Sequence, residues 1–137
     1  MEPALFVHIL GAMVLVGSLV LAAAALATGA GGSEPALRLG FRAILIGAIP
    51  GWIAMRAAAE WVASEQGLSS GEVPGWVDIG YMIADPGALL LIGAAVASRV
   101  ALGRAGSGRA SRLAVVLVAV SLVAYLVVIW AMTAKPV

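Results

Sequence analysis

This chain predicts an all-α fold, a polytopic antiparallel four-helix transmembrane bundle, and three observations carry that reading. Of its 137 residues, 63% are hydrophobic and only 11% charged, well under the roughly 25% charged of a soluble domain. The apolar residues gather into four runs, at about 3–28, 37–63, 77–100 and 113–134, each long enough to cross about 30 Å of hydrocarbon at about 1.5 Å per residue. The links are too short to hold a core of their own, so successive helices are expected to pack side by side as one domain over 1–137.

The first run has no charge after Glu2. A cleaved signal peptide would have a basic start and a shorter apolar stretch, so a retained helix is expected. Thr28 to Pro35 is rich in Gly and Ser and reads as a breaker. The second run contains Pro50-Gly51. Proline lacks the amide hydrogen that would bond the Ile46 carbonyl, which predicts a kink. The third run is interrupted by Asp78 and by Asp85-Pro86-Gly87, so a second kink is expected there. The fourth carries no charge and spans without interruption. Gly47 and Gly51, and separately Gly80, Ala84 and Ala88, form small-residue seams suited to close helix contact, either of which could serve a homodimer.

Composition also excludes function classes. The net charge is +1 with eight Lys plus Arg, and no basic face of the kind nucleic acid requires is present. The expected environment is the lipid bilayer. Without cysteine, disulfides and thiolate metal sites are ruled out. Ser18 and Ser98 lie away from the level of His8, so no serine triad is evident and an enzyme is the less expected reading.

Arg38 and Arg42 flank the first link, and Arg99, Arg104, Arg109 and Arg112 the third, whereas the second carries Glu65 and Glu72. The positive-inside rule then puts the first and third links in the cytoplasm and both termini outside a bacterial cytoplasmic membrane. Trp61, Trp76 and Trp130 fall near the outer boundary, as an aromatic belt would.

Arg56 lies inside the second run, where a guanidinium costs about 3 kcal/mol on insertion scales, so it marks a functional site by default. Counting residues from the outer ends places His8, Arg56, Glu60, Asp78 and Asp85 at one level. Trp52, Arg56 and Glu60 repeat every four residues, and Asp78, Tyr81, Met82 and Asp85 follow helical spacing. Two stripes of opposite sign should face each other, with Arg56 paired to Asp85 and to Glu60. The expected site is an outward-facing polar pocket of His8, Trp52, Arg56, Glu60, Tyr81 and Asp85 that binds a small ligand or cofactor, Arg56 holding an anionic group. Two rival readings use the same residues: a ligand-free accessory protein locked by a structural ion-pair network, and a small oligomeric proton-coupled transporter cycling protons on Asp85. His8 with Met82 could ligate haem b, and His8 with methionines such as Met13, Met55, Met82 and Met132 could hold copper.

The opening His8-x-x-Gly11, running on to Gly17, resembles the first helix of uncharacterised small bacterial four-helix integral membrane proteins. It is more distantly similar to the copper-resistance protein D membrane domain and to the membrane protoporphyrinogen oxidase that binds haem b. The resemblance implies that His8 is a haem or metal ligand. The chain departs from the oxidase in having Asp85-Pro86-Gly87 in the third helix and no lysine there.

Overall fold

A computed structural model describes residues 2–67, 75–104 and 108–134. All of its regular structure is helical: α1 (Pro3–Ala30), α2 (Glu34–Ala43), a π-helical turn (Ile44–Ala48), α3 (Ile49–Glu65), α4 (Gly75–Gly103) and α5 (Gly108–Thr133). Because α2, the π turn and α3 run on without a break, these make four spans long and apolar enough to cross a membrane. The protein is a multi-pass helical membrane protein. Many large apolar side chains face outward, among them Ile46, Leu89 and Val123, as lipid contact requires.

The helices extend past the apolar runs because chain outside the hydrocarbon can stay helical. The Thr28–Pro35 stretch expected to be a breaker holds a turn and a helix start together. Gly32, at φ 112°, makes the turn in a conformation that glycine adopts without strain. Ser33 then caps α2, its hydroxyl accepting from the Ala36 amide at 3.4 Å, with Pro35 in the first turn. Both are helix-start signals. Glu34 and Arg38 add an i,i+4 pair at 2.6 Å.

Pro50 sits in the first turn of α3, directly after the π turn, where the Ile49 amide donates to the Ile44 carbonyl five residues back. The wide turn takes up the bond pattern that a proline disturbs. Pro86, by contrast, lies within α4.

α1 is the central element and packs against α2, α3 and α5, while α4 packs mainly on α5. Leu15, Leu19, Leu26, Ile44, Leu91 and Val118 are fully buried between them. The α1–α3 crossing is close because it is made of glycine. A Cβ added at Gly11 would stand 2.6 Å from the Met55 nitrogen, and one at Gly51 would stand 2.8 Å from that of Leu15. Gly47 takes the Ser18 side chain, Gly80 lies against Met132 and Ala84 is buried. The seams expected to suit a second copy are therefore filled largely within one chain. The contact between α3 and α4 is sparse, and beside it a cavity remains.

Candidate functional site

The cavity measures about 440 Å³ and is walled by all four spans. α1 contributes Leu5, His8, Ala12, Leu15 and Val16; α3 runs from Met55 and Arg56 to Ala63, with Gln66 just past its end; α4 gives Val77, Gly80, Tyr81 and Ala84; α5 gives Tyr125, Val128, Ile129 and Met132. From Leu5 to Val16 it reaches about 16 Å along α1. The lining is overwhelmingly apolar, with polar groups only at His8, Arg56, Gln66, Tyr81 and Tyr125. The pocket was expected to be polar, and the difference has a simple source: the charged stripe belongs to the wall.

That wall is the α3–α4 junction. Arg56 donates from Nε to Asp85 Oδ1 at 3.2 Å and from Nη1 to Glu60. Its guanidinium lies 4.5 Å from the centre of the Tyr81 ring, within cation–π range. One turn deeper, Trp52 donates from Nε1 to the Ala84 carbonyl at 2.9 Å. The carboxylates are on the outside, at 60% and 61% side-chain exposure, whereas that of Arg56 is 23%. Arg56 thus points its stem inward and its charge into the junction, already satisfied by two anions.

His8 is fixed differently. Its Nδ1 stands 2.9 Å from the Met55 carbonyl. A carbonyl only accepts, so Nδ1 must carry the proton, and in the neutral ring Nε2 is left as a free acceptor or ligand atom.

The six residues expected at the site divide into two groups. His8, Arg56 and Tyr81 line the cavity, whereas behind it Trp52 and Asp85 tie α3 to α4 and Glu60 pairs with Arg56 along α3. Met82 is 75% exposed on the outer surface of α4 and does not join His8; Met13 is likewise 67% exposed. The methionines that share the cavity with His8 are Met55 and Met132. No group of three His, Asp or Glu side chains converges among the described residues. Asp78 is exposed in the first turn of α4. Trp61 and Trp130 are exposed, while the Trp76 side chain, Glu72 and Lys135 lie outside the described residues.

One lining residue was not anticipated. Tyr125 is 3% exposed, and its hydroxyl has no hydrogen-bond partner among the described residues. It sits in the notch where Gly87 lacks a side chain. The signal was present, since a phenol in the middle of an uncharged apolar run has to put its oxygen somewhere. No protein-family model, curated protein or solved structure matches the chain, so the resemblance of the first helix rests on His8, Gly11 and Gly17 alone.

Proposed function

We propose that this protein binds one small lipid-soluble molecule in the cavity between its four spans, an apolar body capped by a neutral hydroxyl head that can donate to His8 Nε2. The observation that carries this is a deep apolar cavity walled in part by His8, whose Nδ1 bond to Met55 leaves Nε2 as an acceptor. Ligand sites are typically apolar hollows with a few such fixed polar groups. A carboxylate head is disfavoured, because Arg56 already has Asp85 and Glu60 and the trio carries a net formal charge of −1. In this reading the four spans alternate in direction, which is supported by the lining: it uses the start of α1, the end of α3, the start of α4 and the end of α5. The cavity then opens at the outer face.

The ion-pair network serves as the bolt of the α3–α4 wall. This gives the accessory-protein reading its own support, since such a bolt needs no ligand. Haem or copper would engage His8 Nε2, with Met55 or Met132 in place of Met82.

The test is native mass spectrometry of protein released from mild detergent after exposure to a membrane lipid extract. The wild type should retain one lipophilic molecule. Ala59→Phe, which fills the cavity, should lower occupancy at least about tenfold, the effect of losing about 1.4 kcal/mol, while Leu89→Phe on the outer surface should not. Tyr125→Phe should leave binding unchanged and the empty protein as stable or more so, because it removes a buried hydroxyl with no partner that lies against Gly87 and away from the cavity. Equal occupancy in Ala59→Phe and wild type would leave the ligand-free reading.

A further inference from the structure

The opposite end of the bundle carries a second recess, of about 330 Å³, lined by Glu34, Arg38, Phe41, Arg42, Arg99 and Leu102. It lies between α2 and α4, elements that pack against each other. Three arginines against one glutamate leave it a formal charge of +2, and Arg38 alone is engaged with Glu34, at 2.6 Å. Among the described residues Arg42 and Arg99 make no ion pair, and both are exposed. Guanidinium forks in this number suit phosphate oxygens, which accept two parallel bonds from each.

The surroundings say which phosphate. Phe41 and Leu102 give the recess an apolar lining. Helical spacing continues the Arg99 face of α4 through Val96 and Ile92, which are 57% and 54% exposed, and the Arg42 side of the second span continues to Leu45 and Ile46, at 46% and 73%. A cationic rim therefore leads directly onto apolar surface at hydrocarbon depth, the shape of a headgroup with its acyl chains. A free phosphate ion would use only the rim.

We infer that this recess binds the phosphate of an anionic phospholipid, with Arg42 and Arg99 as its principal donors, Arg38 as a third, and the acyl chains lying along α2 and α4. Basic pockets between transmembrane helices at a membrane surface recognise anionic headgroups in this way. The inference is independent of the cavity at the other end and of its ligand.

The full chain in mild detergent would be titrated with phosphatidylglycerol, phosphatidylcholine and inorganic phosphate, with bound states counted by native mass spectrometry. Phosphatidylglycerol should bind in preference to phosphatidylcholine. Arg42→Ala with Arg99→Ala should weaken it about thirtyfold, taking roughly 1 kcal/mol for each arginine. Arg109→Ala with Arg112→Ala removes the same charge from outside the recess and should leave the preference intact. All four side chains are exposed, so both variants are expected to fold. Equal loss in the two double variants, or no preference between the lipids, overturns the proposal. Displacement of the lipid by millimolar inorganic phosphate would overturn the lipid assignment and give the site to the free ion.

Discussion

Arg56 shows how a costly residue becomes tolerable. A lone guanidinium at membrane depth is expensive, yet this one has two carboxylates and an aromatic face around it. The two anions are not equivalent to the one cation. Asp85→Asn leaves Arg56 with Glu60 and should lower stability by about 1 kcal/mol, near the range of polar pairs in membrane proteins. Arg56→Gln leaves two carboxylates with no cation between them and should cost more than Asp85→Asn. Unfolding equilibria in mixed micelles would order the two variants, and a larger loss in Asp85→Asn would remove Asp85 and Glu60 as joint partners. The pairing itself was legible, because spacing and sign along two helices bring Arg56 to Asp85. The side on which Tyr81, Met82 and Asp78 point was not. Residues that share one stripe in sequence fan over about 100° per residue on a helix, so Tyr81 turns into the cavity while Met82 turns out of it. Helical spacing alone could not divide the stripe, since the division depends on where α5 packs.

At the scale of elements, the α1–α3 crossing sets the site. His8 can bond the Met55 carbonyl only because Gly11 and Gly51 let the two backbones approach. Gly51→Ala would push a methyl to 2.8 Å from the Leu15 nitrogen, and because the obstacle is backbone the helices must separate. We expect about 1–3 kcal/mol of destabilisation and, in the same variant, loss of the His8–Met55 bond. The His8 Nδ1 proton, followed by nuclear magnetic resonance of labelled imidazole, would then exchange faster than in the wild type. An unchanged exchange rate would mean that His8 is held by something other than this crossing. Gly51 was visible with Gly47 as a small-residue pair, but the partner was not, since GxxxG names a face that is closely approached and leaves the approaching helix open. The π turn was invisible for a related reason. Pro50 removes one hydrogen bond wherever it stands, and whether the chain answers with a bend or a widened turn is decided by packing against α1. The start of α2 was readable in Ser33, Glu34 and Pro35, but their neighbouring glycines gave the stretch the look of a plain breaker.

For the whole molecule, the two ends differ in kind. One holds an apolar cavity guarded by a single satisfied cation, and the other gathers six arginines around its links. That asymmetry is what the positive-inside rule reads, and it predicts that the cavity faces outward while the arginine recess meets the cytoplasmic leaflet. The absence of cysteine makes the test clean, because any introduced thiol is the only one in the chain. Gln66→Cys, at the cavity end, should react with a membrane-impermeant maleimide on intact cells. Ser33→Cys, in the turn before α2, should react only after lysis. Both sites lie at or beyond helix ends, so the substitutions should be accepted without rearranging the spans. Labelling in the reverse order would invert the topology, and with it the side from which the ligand of the cavity must arrive. Labelling of both in intact cells would mean that residues 33 and 66 lie on the same side, which an α2–α3 segment crossing the membrane once does not permit.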